Sequence, residues 1–96
     1  MYIVLLNYTQ PLEVIEKHLA AHRLFLDQHY VNGNLLASGP RNPRTGGVLL
    51  ARGIKREEVE ALIAEDPFAK ANVATYEIIE FEAVKLAPGT ENLFRG

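Results

Sequence analysis

The sequence predicts an α+β domain of the ferredoxin-like kind: strand, helix, strand, strand, helix, strand, forming a four-stranded antiparallel sheet with two helices on one face. Three observations predict it. Short runs of strand formers alternate with two longer stretches whose apolar residues recur at helical spacing. Gly and Pro punctuate the joins between them. The first apolar run, Tyr2-Ile3-Val4-Leu5-Leu6, does not alternate, so both its faces need cover, and helices packed on one side supply only half of it. A chain of 96 residues leaves roughly a third or more of its unfolded surface exposed, so a second copy is the economical cover for the bare face. The expected assembly is a symmetric homodimer whose two sheets close face to face into a dimeric α/β barrel.

The elements follow in order. Tyr2 to Leu6 is strand one, broken by the polar run Asn7-Tyr8-Thr9. Helix one spans Pro11 to about Val31. Thr9 or Gln10 lies near its cap, Pro11 falls in the first turn where a missing N–H costs nothing, and Glu13 and Glu16 sit near the positive end. Gly33, in Asn32-Gly33-Asn34, closes it. Leu35 to Pro40 is a short strand ending in a turn, Arg41 to Gly47 a basic loop, and Val48 to Ala51 the third strand. Arg41 and Arg44 could bind an anion but read first as a solvated loop tip. Lys55 to Glu65 carries Val59, Leu62 and Ile63 at helical spacing and stops at Asp66-Pro67, because a residue before proline is pushed out of helical dihedrals. Phe68 to Asn72 forms one more turn or a loop. Thr75 to Phe81 is the fourth strand, and its mixed faces suit a sheet edge. The domain is read as residues 1–85 and the Pro- and Gly-punctuated remainder, 86–96, as a tail. Its last six residues loosely resemble a tag-protease recognition sequence without its tyrosine and glutamine, and are given no role.

Composition narrows the function. A net charge of −2 and a pI near 5.9 offer nothing that would hold nucleic acid or an anionic membrane. With no cysteine there is no disulfide, thiolate nucleophile or Cys-ligated zinc, and the chain suits the reducing cytoplasm. The apolar start is too short for a membrane span or a signal-peptide core.

Chemistry concentrates on helix one. Leu12, Ile15, Leu19, His22 and Leu26 share one helical face, placing a titratable imidazole among aliphatics. Read alone, His22 is better explained as a core histidine satisfied by a hydrogen bond than as a working group in a cleft, and Asp66 is also an ordinary helix-ending aspartate bonded to its own backbone. Glu16, Lys17, Arg23, Asp27 and Gln28 flank this stripe and read as the solvated side, and His18 and His29 lie on other parts of the helix. No Glu completes a zinc-helix pattern with His18 and His22, so no metal site is predicted.

Three segments together resemble the YciI-like (YCII-related) family of small dimeric α/β-barrel proteins. They are Ala21-His22-Arg23-Leu24-Phe25-Leu26, Leu36-Ala37-Ser38-Gly39-Pro40, and Asp66-Pro67-Phe68. The resemblance implies a His–Asp pair, His22 and Asp66, in a cleft between helices and sheet, with Ser38, Gly39, Pro40 and Phe68 around the substrate and no cofactor. One relative in the family acts as a dehydrochlorinase on a chlorinated hydroxylated aromatic. The wider superfamily includes muconolactone isomerases and cofactor-free monooxygenases. Such a pair suits acid/base work, because a carboxylate accepting one imidazole N–H frees the other nitrogen as a base and favours the imidazolium that forms. Proton transfer, as in isomerisation or elimination, is favoured over hydrolysis: Ser38 lacks the strand-to-helix nucleophile elbow. The expected function is a small cofactor-independent enzyme acting on a cyclic or aromatic metabolite; the alternative is a non-catalytic small-molecule-binding or accessory module. If His22 is catalytic, alanine in its place is expected to cost little stability; if structural, roughly 1–3 kcal/mol.

Overall fold

The computed structural model describes residues 1–94; Arg95 and Gly96, the end of the tag-like segment, lie outside the described residues. The elements are β1 (Tyr2–Tyr8), α1 (Leu12–Lys17), α2 (Leu19–Val31), β2 (Leu35–Pro40), β3 (Gly46–Ala51), α3 (Arg56–Glu65), α4 (Pro67–Lys70), β4 (Ala74–Glu80) and α5 (Glu91–Phe94). The sheet order is β2-β3-β1-β4 with every neighbouring pair antiparallel, the ferredoxin-like arrangement expected. β1 is a central strand, as its unalternating apolar run requires, and β4 is an edge, as its mixed faces suggest.

Side chains of the sheet alternate between two environments. Tyr2, Val4 and Leu6 of β1, with Leu49 of β3, are buried in the core alongside Ile15, Val59 and Phe68 of the helical layer. Each such burial stabilises by about 1.5–3 kcal/mol, which holds the helices to this side. Ile3, Leu5, Val48 and Leu50 point the other way and are only half-buried, and Ile79 is exposed.

Four local features depart from the sequence reading. β1 continues through Asn7 and Tyr8, which pair with Gly46 and Thr75 and with Ala74. Pro11 takes the N-cap position, one residue outside the first turn, and no side chain caps α1. The long first helix is two: His18, at φ −106° and ψ 0°, makes a tight bond from its N–H to the Ile15 carbonyl before α2 restarts. That break rotates the buried stripe. Leu12 is left exposed at 40 %, while His22, Phe25 and His29 form the buried side of α2. Finally, the tail holds a short helix, α5, and Arg52 Nη1 donates to the carbonyls of Asn92 and Leu93.

Gly33, at φ +79°, closes α2 as expected. Gly46 has a different reason for lacking a side chain: a Cβ there would stand 1.8 Å from the Leu6 carbonyl oxygen on β1.

Candidate active site

Asp66 is the hinge between α3 and α4. It ends the first in extended conformation, φ −64° and ψ 126°, and caps the second, its Oδ1 accepting the Phe68 N–H at 3.0 Å. The Asp-Pro-Phe segment therefore folds as an N-cap followed by proline at the first helical position. The capping turn directs the carboxylate inward. It is fully buried, at 0 % exposure. His22 Nδ1 lies 2.8 Å from Oδ1, and the Tyr76 hydroxyl of β4 donates to Oδ2 at 2.7 Å.

This bonding sets the histidine tautomer. A carboxylate that already collects a backbone N–H and a phenol O–H acts as acceptor, so Nδ1 of His22 carries the hydrogen and donates it. In the neutral ring the lone pair is then on Nε2. The ring itself is clamped by Phe68, stacked at 4.0 Å between centroids and 12° between planes, and Tyr8 braces Phe68 edge-on at 5.9 Å. Burial above all, then the bond to Asp66 and its charge, pushes the Tyr76 hydroxyl far above the ordinary tyrosine value, so Tyr76 stays a neutral donor.

His22 faces a cleft of about 470 Å³ between α1, α2 and the sheet, within the size range of small-molecule sites. Of the residues expected in the site, His22, Ser38, Gly39 and Pro40 line this cleft together. Ser38 Oγ is hydrogen-bonded to the Tyr30 hydroxyl at 2.5 Å. Asp66 and Phe68 do not line it: Asp66 lies behind the imidazole, and Phe68, 1 % exposed, supports the ring where a substrate contact was expected.

Sequence reasoning missed several residues. Arg23, placed with the solvated face, and Arg44, placed at a loop tip, both line the cleft, with Glu16 3.4 Å from Arg44. Leu19, His22, Arg23 and Leu26 are spaced i, i+3, i+4, i+7, a signal that was available once the cleft face of α2 was sought. Tyr76 gave no comparable signal, because nothing in a mixed edge strand announces which hydroxyl turns inward. His29 is buried too, edge-on to Phe25 at 4.9 Å and beside Asn34 and Glu65. Among the described residues no group of three or more His, Asp or Glu could hold a metal ion.

A ferredoxin-like sheet with a ligand-sized cleft between helices and sheet, and a buried histidine–carboxylate pair at that cleft, defines a class of small α+β proteins. The model of the YCII-related domain matches residues 1–82, and the chain belongs to that family. Among solved structures it is similar to 5-chloro-2-hydroxyhydroquinone dehydrochlorinase from Burkholderia phenoliruptrix, determined in complex with 2,5-dihydroxybenzoquinone. The likeness has a TM-score of 0.71 and 21 % identity over 85 % of this chain and 94 % of that one, and shows a shared fold. No curated protein matches the chain in sequence.

Proposed function

We propose that the protein is a small cofactor-independent enzyme that moves a proton on a cyclic or aromatic metabolite, with His22 as general base and Asp66 as its positioning partner. The observation that carries this is the 2.8 Å bond from His22 Nδ1 to a fully buried carboxylate, which in the neutral ring directs the free lone pair to Nε2 on a ring that lines the cleft. Nε2 would take a proton from a ring C–H or O–H. The electron pair released into the ring either expels a leaving group such as chloride, an elimination, or is reprotonated elsewhere, an isomerisation. The name of the structural neighbour, a dehydrochlorinase of a hydroxylated ring, supports the elimination form. Ser38 and the Gly39-Pro40 backbone would orient the substrate's polar groups from the opposite wall.

The low exposure of His22, 8 %, is what favours the alternative of a non-catalytic binding module. One experiment separates them. Hydroxylated chloroaromatics and cyclic ketones are offered to the wild type and to His22→Asn, whose amide nitrogen takes the place of Nδ1 and can still donate to Asp66, while chloride release and solvent deuterium incorporation are followed. Turnover by the wild type, lost in the variant with ligand binding retained, supports the enzyme; binding without turnover by either protein supports the module.

We also propose that the protein is a cytoplasmic homodimer formed through the open side of the sheet. Ile3, Leu5, Val48 and Leu50 there are apolar and incompletely buried, and an obligate interface takes such a surface. No helix among the described residues is long and apolar enough to cross a membrane, and a small domain without a disulfide suits a reducing compartment.

A further inference from the structure

The cleft has two chemically distinct sides. Leu19, Leu26 and Leu49 make an apolar wall, while two arginines, Arg23 from α2 and Arg44 from the β2–β3 loop, line the cleft with a single carboxylate, Glu16, which only Arg44 meets. This is unusual for a chain whose net charge is −2. The other described arginines are engaged elsewhere. Arg41 donates to Asn7, Arg52 to the carbonyls of Asn92 and Leu93, and Arg56 lies 3.4 Å from Glu60. Arg23 has no ion-pair partner among the described residues. Arg44 reaches Glu16 only at 3.4 Å, and that glutamate side chain is 58 % exposed, so water screens the pair and a better-placed anion would displace it. A guanidinium fork matches a carboxylate in two parallel hydrogen bonds, which a screened and distant glutamate does not use up.

We propose that the cleft selects monocyclic carboxylates, with the carboxylate held by Arg23 and Arg44 and the ring against the leucines, so that a ring position faces Nε2 of His22. The binding part of this stands on the arginines alone; only its catalytic consequence rests on the role proposed for His22. The two guanidiniums would fix which ring atom meets the base and would exclude the neutral analogue of the same shape, because a substrate without the charge leaves them uncompensated.

The test uses 3-oxocyclohexane-1-carboxylate and its carboxamide, which differ in charge and hardly in shape. Binding is followed by NMR titration of the whole protein, and exchange of the hydrogens beside the ketone by growth of deuterium in the same samples. The expected result is that the acid binds at least about tenfold more tightly than the amide. Raising the salt from about 0.05 to 0.5 M should erode that preference. Arg23→Gln and Arg44→Gln, both surface changes whose folding is checked by circular dichroism, should each weaken the acid about tenfold and leave the amide unchanged. Equal binding of acid and amide, unaltered acid binding in both arginine variants, or binding of neither compound would overturn the proposal. Arginine-dependent binding of the acid with no exchange at any pH supports this selectivity and instead removes His22 as the base.

Discussion

At the scale of residues, Asp66 decides most of what the site can be. Its two oxygens serve three donors: the imidazole, the Phe68 amide and the Tyr76 phenol. In Asp66→Asn, the carbonyl can keep the first two and the amide can donate to Tyr76, whose hydroxyl also accepts. The fold should therefore survive with a loss of about 1–2 kcal/mol in urea denaturation. Turnover should fall roughly 10²–10⁴-fold, since no negative charge remains to favour the imidazolium. Removing His22 is costlier than the sequence suggests for a catalytic residue. His22→Ala takes a donor from a fully buried carboxylate and the stacking partner from Phe68, so about 1.5–3 kcal/mol should be lost whether or not the residue is catalytic. Stability alone therefore cannot identify the base, and turnover against binding must.

Tyr76 makes a pH-dependent prediction. Its hydroxyl is pushed upward in the folded chain, so above pH 10 the unfolded chain gives up a proton that the folded chain keeps, and stability falls as pH rises. The wild type should exceed Tyr76→Phe by about 1.5–3 kcal/mol at pH 8, and that margin should shrink between pH 10 and 11.5. A margin constant over that window in urea melts would show that Tyr76 titrates normally. The His22–Asp66 pair was legible in the sequence through a family pattern; Tyr76 was not, because its bond to Asp66 depends on how an edge strand meets a capping turn.

Among elements, the strands were more legible than the first helix. A run of strand formers bounded by Gly, Pro or polar residues needs only a few positions to declare itself, and all four strands fall within two residues of their expected bounds. The twenty-residue helical pattern hid its interruption, since α1 and α2 each keep helical spacing and only the phase between them slips at His18. That slip explains why Leu12 is exposed, whereas His29, seven residues after His22, and Arg23, four after Leu19, follow the periodicity of α2 itself. Strand packing yields a sharper test. Gly46 of β3 and Gly39 of β2 look alike in sequence, but a Cβ on the first would collide with the Leu6 carbonyl, whereas one on the second meets nothing within 4 Å. Gly46→Ala should lower stability by about 1–3 kcal/mol or more, as β1 and β3 are forced apart, and Gly39→Ala should stay within about 0.5 kcal/mol. Thermal melts of the two variants make the comparison, and equal melting points would contradict the close approach.

For the whole molecule, the first strand predicts a partner. The structure shows that Val4 faces the core and Ile3 the open side, so Ile3→Glu should convert a dimer to a monomer in sedimentation at micromolar concentration, while Val4→Glu should unfold the chain outright. A wild-type monomer under those conditions would remove the dimer. The sheet order also bears on how the chain comes off the ribosome. β1 is made first, yet its neighbours β3 and β4 begin at residues 46 and 74. Its most apolar segment gains one neighbour only when β3 is made and keeps its other edge open until nearly the whole domain has been synthesised, and the bonded pair His22 and Asp66, 44 positions apart, waits for the second half of the chain. A nascent chain stalled after α4 would thus display one open edge of its central strand, a natural client for a holding chaperone and a seed for aggregation if none arrives.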